Sequence, residues 1–188
     1  MRFKKNHKLE AREKILKAAE RVLRLHGIDG VGIDAVMAEA GMTSGAFYNQ
    51  FSSKRELLTE VLRRGFKDLN EGFQVASQGG GLREFIDSYL SEENRKDIAG
   101  GCSVSPLLSE LGRSDASTRE GLQPEMKETA RQLSSLFPDP AEAEKSEAWA
   151  VLALLLGGLQ LSRATDDEAL AKQTLEGCRR FILDRLTI

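Results

Sequence analysis

Hydrophobic residues recur along this chain with the period of amphipathic helices. Between residues 33 and 40, four of them take the i, i+3, i+4 and i+7 positions of one helix face: Ile33, Val36, Met37 and Ala40. The same period predicts a first helix over 8–25 and a long fourth helix from 53 towards 73. Runs of β-branched residues, which favour strands, are scarce. We therefore expect an all-α fold.

A tight corner joins the second and third predicted helices. Gly41 ends the second helix, as a glycine in the left-handed conformation does, and Thr43 stands at an N-cap position where its hydroxyl can accept from the next turn. Phe47 and Phe51 lie four residues apart on the inner face of the third helix. Its outer face is free of carboxylates, so a DNA phosphate backbone can approach it. The pattern favours a helix–turn–helix, although an αα-hairpin in a protein that does not bind DNA would share the corner.

The fourth helix opens with the pattern of a capping box, with Ser53 as N-cap and Glu56 at N3. Lys54 and Arg55 occupy its first turn, where the helix dipole disfavours each cation by about 0.3–1 kcal/mol. A nearby DNA phosphate would explain this placement. The alternative is a solvated pair of surface charges.

From Arg12 to about Leu62 the chain resembles the DNA-binding domain of the tetracycline-repressor (TetR) family of one-component transcriptional regulators. The matching residues are the block VMAEAGMTSGAFYNQF, the His26-Gly27 pair before it, and the SSKREL that opens the fourth helix. The sequence departs from the family pattern at Gly32, where Ser or Thr is usual, and in having no basic residue at Asp34 or Ser44.

This resemblance implies a three-helix, helix–turn–helix DNA-binding domain over residues 1–55 and a C-terminal helical domain for effector binding and dimerisation over 56–188. It also implies a homodimer on a palindromic operator, and a repressor that a small apolar effector releases. We expect the DNA-contacting residues in and beside the third helix: Thr43, Ser44, Gly45, Ala46, Tyr48, Asn49 and Lys54. Tyr48 and Lys54 would hold phosphates, and the polar residues would face base edges.

The rest of the chain is predicted to be helical after a triple glycine at 79–81. Helices are expected over 82–90, 103–111, 115–137 and 166–185, with a kink at Pro124. The segment 139–142 predicts the start of a further helix to about Arg163, with Asp as N-cap, Pro at N1 and Glu at N3. The last two helices are apolar enough to form a four-helix dimer interface of the kind the family has, and the expected residues are Leu155, Leu156, Leu159, Phe181 and Ile182. An internal core role is the alternative.

An effector pocket between the middle helices is implied by the family more than by the residues. The side chains expected to line it are Leu107, Leu111, Met126, Trp149 and Leu152. Cys102 offers a different kind of regulation. It precedes a predicted helix, whose dipole would lower the pKa of its thiol, and a sensor of oxidants or electrophiles acting through Cys102 is therefore an alternative.

Charge is divided unevenly along the 188 residues, although the net charge is only −2. Residues 1–70 hold 14 Lys/Arg and 9 Asp/Glu, whereas the remaining residues hold 13 and 20. A basic N-terminal part and an acidic C-terminal part are what we expect of a DNA-binding domain (the head) followed by a domain that does not bind DNA (the body). The first basic residues precede any apolar period, so we expect a flexible basic arm over residues 1–8.

Other features narrow the class of protein. The N-terminus lacks the apolar stretch of a signal peptide, and the longest uncharged stretch, 148–162, is shorter than the roughly 20 residues that span a bilayer. Two cysteines do not make a disulfide framework, so we expect a cytoplasmic protein. Neither histidine stands in a metal-ligand pattern, and phosphate-loop and nucleophile-elbow motifs are absent. We expect no enzymatic activity, cofactor, metal or membrane partner. A helical protein-interaction module is the other alternative to a regulator.

Overall fold

A computed structural model describes residues 2–79, 81–138 and 145–186, and the side chains within 8–79, 81–138 and 146–186. Over these ranges the chain has no strands, which confirms the all-α fold. The elements are α1 Arg2–His26, α2 Ile33–Glu39, a 3₁₀ helix Ser44–Asn49, α3 Lys54–Gln78, α4 Gly81–Tyr89, α5 Glu92–Lys96, α6 Val104–Arg113, α7 Ala116–Ser134, α8 Lys145–Arg163 and α9 Glu168–Leu186. No helix in this part of the chain is long and apolar enough to cross a membrane.

The first three elements and the beginning of α3 pack into a head around two phenylalanines. Phe47 and Phe51 are almost fully buried, and their ring centroids lie 5.6 Å apart. The Arg12 guanidinium carbon lies 4.1 Å from the centre of the Phe51 ring, which adds a cation–π contact between α1 and the corner. The head core therefore fixes the 3₁₀ helix against α1 and α3.

The predicted long helix is confirmed as α3, which passes from the head into the body of the molecule. Its first half contributes Leu57, Leu58, Val61 and Leu62 to the head core. Its second half contributes Phe66, Leu69 and Phe73 to a body core with α4, α7, α8 and α9. The head core also takes in Leu107 of α6 and Leu122 of α7, so head and body are packed together directly. The boundary predicted at residue 55 stays a prediction.

Several expected boundaries are wrong. The basic arm is helical, because α1 begins at Arg2 and not at Lys8. The third element is a 3₁₀ helix of six residues, closed by bonds such as Ala46 N–H to Thr43 carbonyl, and Gly45 is a weak former of α-helix. The helix expected to reach residue 137 ends at Ser134, with Pro124 inside it. The helix start expected at 139–142 lies outside the described residues.

The N-terminus of α3 is capped almost as predicted. The Ser53 hydroxyl accepts a hydrogen bond from the Glu56 N–H at 3.1 Å. The Glu56 carboxylate accepts from the N–H and hydroxyl of Ser52, one residue before the expected N-cap partner, at 2.7 and 2.8 Å. These bonds to Ser52, with Arg12 nearby, lower the pKa of Glu56. The cap matters because α3 carries both cores.

Substitution of Ser53 by alanine removes the cap acceptor, and we expect the free energy of unfolding to fall by about 1 kcal/mol. Urea unfolding followed by far-UV circular dichroism measures the change. Ser53→Asp is the matched control, because aspartate caps helices as well as serine does. An alanine variant as stable as the aspartate variant would show that the cap contributes nothing.

Candidate nucleic-acid interface

The 3₁₀ helix presents most of the predicted DNA-contacting residues on one exposed surface. Phe47 is buried and anchors this helix, whereas Tyr48 beside it is 66% exposed and packs its ring edge-on against Phe47. The other exposed members are Thr43, Ser44, Gly45 and Asn49. Ala46 is half-buried and packs against the head core, so it is turned further inward than the prediction required.

The turn before this surface is set by backbone geometry. Gly41 has a φ of 66°, in the left-handed region that favours glycine, as predicted. The Met42 N–H then bonds the Met37 carbonyl at 2.9 Å, which closes the corner. Thr43 occupies the N-cap position, but its side chain makes no capping bond. The expected cap is thus wrong, and its hydroxyl is available to a ligand.

A carboxylate that the sequence placed on a different helix lies beside this surface. The Ser44 hydroxyl donates a hydrogen bond to Asp34 Oδ1 of α2 at 2.5 Å. The third element itself carries no acidic residue, as predicted, but this carboxylate of α2 lies beside its first turn. With its proton engaged by Asp34, the Ser44 oxygen faces a partner mainly as an acceptor.

The two cations in the first turn of α3 have different surroundings. Arg55 forms an ion pair with Asp115, the N-cap residue of α7 in the body. Within the described part of the chain, no hydrogen bond or ion pair engages the Lys54 ammonium. Lys54 lines a cavity of about 290 Å³ whose other charged residues are Arg55, Arg113, Asp29 and Glu110. Lys54 is therefore the cation of this pair that can hold a phosphate.

The five residues predicted for an effector pocket do not all come together: Leu107, Leu111 and Met126 meet at the head core, apart from Trp149 and Leu152. Leu107 and Leu111 are buried in the head core, and Leu152 is buried in the body core. Met126 packs between the two cores, and Trp149 is 39% exposed on α8. The prediction of a pocket lined by these five residues is therefore wrong. Apolar periodicity alone does not distinguish the wall of a cavity from an ordinary core.

A cavity of about 530 Å³ lies where the head meets the body. We call it the junction cavity. It is bounded by α1, α3, α4, α5 and the segment 97–102. Its wall includes charged and aromatic side chains: Arg24, Asp68, Phe85, Tyr89, Glu93 and Asp97. Sequence reasoning missed this cavity because the segment 97–102 is irregular and brings together residues distant in sequence.

Cys102 lines the junction cavity, but its thiol has a different character from the one predicted. Burial raises its pKa, and the Tyr89 hydroxyl and the Ser105 and Val104 amides offset this only in part. The expectation of a lowered pKa is therefore wrong, because desolvation outweighs the favourable helix N-terminus. The thiol is protonated at neutral pH, which disfavours the sensor alternative. Across the described residues, no cluster of three His, Cys, Asp or Glu side chains is placed to hold a metal.

The predicted dimer interface also needs correction. Leu155, Leu156, Leu159 and Ile182 are buried in the chain's own body core and present almost no surface to a partner. Phe181 alone of the five is exposed, at 62%. Because α8 is apolar nearly all round, its sequence does not show which side faces inward.

Comparison with known proteins identifies the family of proteins to which this chain belongs. Residues 15–61, from α1 into α3, match the family described as bacterial regulatory proteins, tetR family. A helix–turn–helix-type transcriptional regulator in the lacX 3′ region of Lactococcus lactis subsp. lactis is 30% identical over 166 residues, which cover 83% of this chain and 85% of that protein. The chain belongs to the tetR family. It is a helix–turn–helix transcriptional regulator.

Solved structures of transcriptional regulators share the fold over nearly the whole chain. A TetR transcriptional regulator from Chloroflexus aurantiacus superposes with a TM-score of 0.77 at 21% identity, over 97% of this chain and 96% of its own. The regulator FadR from Bacillus subtilis, solved in complex with stearoyl-CoA, superposes with a TM-score of 0.62 at 17% identity, over 93% and 96%. The family match spans all seven residues predicted to contact DNA, whose individual roles stay predictions.

Replacement of Lys54 by alanine removes one cation from the DNA-facing side of the head. We expect weaker binding to all DNA sequences alike, and a slope of log affinity against log salt that is smaller by about one. Fluorescence anisotropy with a bound fragment over a salt series measures both.

The matched control is Lys96→Ala on α5 in the body, where the ammonium pairs with Glu92 at 2.7 Å. It should leave the salt slope unchanged. If the slope of log affinity against log salt for Lys54→Ala were the same as for Lys96→Ala and for the unchanged protein, Lys54 would not contact a phosphate.

Proposed function

We propose that this regulator is a homodimeric repressor that binds a palindromic operator and that a small-molecule effector releases from it. The observation that carries the proposal is the junction cavity, because Arg24 of the DNA-binding head forms part of its wall. The cavity lies between residues 1–55, which we assign to DNA binding, and residues 56–188, which we assign to effector binding and dimerisation. A ligand there touches both parts.

Arg24 supports a link from the cavity to the head. Its guanidinium donates to the Gly101 carbonyl at 2.5 Å and to the Ser103 hydroxyl at 3.2 Å. Gly101 itself lines the cavity. A ligand that moves this segment must therefore break or move the bonds of Arg24, and with them α1.

Two further ion pairs tie the head-proximal part of α3 to α7. Arg55 pairs with Asp115, and Arg63 donates to Glu125 at 2.6 Å. Displacement of the body helices therefore moves α3, against which the 3₁₀ helix is packed. The protein is in equilibrium between a geometry that fits DNA and one that does not. An effector releases DNA only if it has the higher affinity for the second geometry. FadR with stearoyl-CoA shows that this fold can hold a small molecule.

A surface on α8 and α9 supports the homodimer. On α8 an uncharged stripe is exposed at every fourth residue: Trp149, Ala153, Gly157 and Leu161. On α9 a second exposed stripe contains Leu170, Gly177 and Phe181. Space around Gly157 and Gly177 is open, so the helices of a second copy can approach closely there. We call these two stripes the dimer surface.

Two copies are needed for specificity, because one short 3₁₀ helix reads few bases. In a dimer, the two heads would read two half-sites whose centres are separated by one helical turn of DNA, about 34 Å, or by a multiple of that distance. The operator is therefore expected to be a palindrome.

Gly157→Arg places a charged side chain in the middle of the dimer surface. We expect a monomer in sedimentation at micromolar concentration, and operator affinity weaker by at least about 100-fold because the two heads are no longer linked. Gly112→Arg is the matched control: Gly112 is also exposed and in open space, but on α6. A dimeric Gly157→Arg protein would place the interface elsewhere.

Selection of bound fragments from genomic DNA tests the operator part of the proposal. We expect enriched fragments to share one palindrome and to be recovered by the unchanged protein but not by Asn49→Ala, since Asn49 is exposed on the 3₁₀ helix. Fragments without a common palindrome would contradict a dimer that reads two half-sites.

A further inference from the structure

We propose that the junction cavity binds an organic cation, a positively charged nitrogen carried on an apolar frame that includes a flat ring. The inference rests on the proposed function, since it names the class of effector that acts there. It differs from the sequence-based expectation of an apolar effector. Four properties of the cavity carry it.

The first property is the charge of the wall. Asp68 of α3, Glu93 of α5 and Asp97 after α5 are solvent-exposed and line the cavity, and among the described residues Arg24 is the single cationic side chain that does so. At neutral pH the lining charges sum to −2. A cation entering this cavity is attracted, whereas an anion is repelled by three carboxylates.

The second property is that two of these carboxylates, Asp68 and Glu93, have no ion-pair partner in the described part of the chain; Asp97 accepts a hydrogen bond from the Gly100 N–H at 2.8 Å. Arg64, one of the cations that lower the pKa of Asp68, is held by Glu13 at 2.8 Å and by Glu20 at 2.7 Å. Among the described residues, neither the Asp68 nor the Glu93 carboxylate accepts a hydrogen bond or forms an ion pair. Partial burial raises the pKa of Asp68, as it does for a carboxylate without a direct cationic partner.

The third property is a group of aromatic side chains that includes a buried hydroxyl. The Phe85 ring lies 4.7 Å from that of Phe73 and 5.7 Å from that of Tyr89, measured between centroids. Aromatic faces attract cations and stack on flat rings. Tyr89 is only 8% exposed, and its hydroxyl lies beside the Cys102 thiol but meets the geometric criteria of a hydrogen bond with none of the described groups. The Tyr89 oxygen can accept a hydrogen bond from an ammonium group.

The fourth property separates an organic cation from a metal ion. No three carboxylate, thiol or imidazole groups in the described ranges come together at metal-ligand distances, so the negative charge is spread around the wall. The volume of about 530 Å³ falls within the range of cavities that hold drug-sized molecules. Spread charge and a group of aromatic side chains fit a ring-bearing amine.

The test compares three compounds of nearly the same shape on the full-length protein. These are 2-(1-naphthyl)ethylammonium, the neutral 2-(1-naphthyl)ethanol and the anionic 1-naphthylacetate, titrated by isothermal calorimetry. We expect the ammonium compound to bind at least tenfold more tightly than either of the others. An ammonium compound that binds no better than the alcohol, including no binding at all, would overturn the proposal.

Variants then locate the site. Asp68→Asn and Glu93→Gln, on separate helices, should each weaken binding of the ammonium compound severalfold and leave binding of the alcohol within twofold. Glu84→Gln on α4 is the matched control, since Glu84 is exposed and outside the cavity wall. A loss of ammonium binding in the control equal to that in the two variants would place the cation elsewhere.

Operator release, measured by fluorescence anisotropy, keeps the two proposals distinguishable. If the ammonium compound binds in the junction cavity but leaves operator affinity unchanged, the release mechanism is wrong and the ligand class stands. If a neutral or anionic compound releases the operator while the ammonium compound does not bind, the ligand class is wrong and the release mechanism stands.

Discussion

The close approach of α6 to α3 at Gly65 is the contact on which the arrangement of head and body depends. Gly65 is buried, and a Cβ at this position would lie 3.0 Å from the Ser103 Cβ and 3.0 Å from the Val104 Cγ2. Because Gly65 has no side chain, the start of α6 lies against the middle of α3, and the preceding segment comes within reach of Arg24. α3 is continuous through this point, with Leu62 in the head core on one side and Phe66 in the body core on the other. One tight contact therefore positions α1, α3 and α6 together.

This junction limits how the head can move. Leu107 and Leu111 of α6 are part of the head core, so the head does not turn on α3 as on a free hinge. Its reorientation requires α6 to move with it, or the shared core to open at a large cost in buried apolar area. A ligand beside the segment that leads into α6 acts on the element that moves with the head. The junction cavity meets this requirement, whereas a pocket enclosed among α7, α8 and α9 would act on the head only through several further contacts.

Features that depend on interactions between near neighbours in the sequence could be predicted, whereas features that depend on contacts between distant residues could not. The corner at Gly41, the buried pair Phe47 and Phe51, and the existence of the long helix α3 each depend on spacing between near neighbours, and the sequence predicts each of them. The pairs of Ser44 with Asp34 and of Arg24 with Gly101 join residues 10 and 77 positions apart, and no periodicity reports them. On α8, apolar residues surround the helix, so only the packing shows that Leu155 faces inward and Gly157 outward. For Cys102, the helix N-terminus was visible in the sequence, but the burial that outweighs it was not.

The acidic body links DNA binding to the choice of ligand. Residues 71–188 carry 20 acidic and 13 basic side chains, so DNA repels the body and attracts the head, whose first 70 residues have the opposite balance. The same excess of acidic side chains supplies Glu93 and Asp97 to the junction cavity, where Arg24 is the one cation among the described residues of the wall. A cation bound there lies near α1, and its charge alone would favour DNA binding rather than oppose it. Release by such a ligand must therefore come from the displacement of Arg24 and of α3, which changes the separation of the two heads, and not from electrostatic repulsion of the operator.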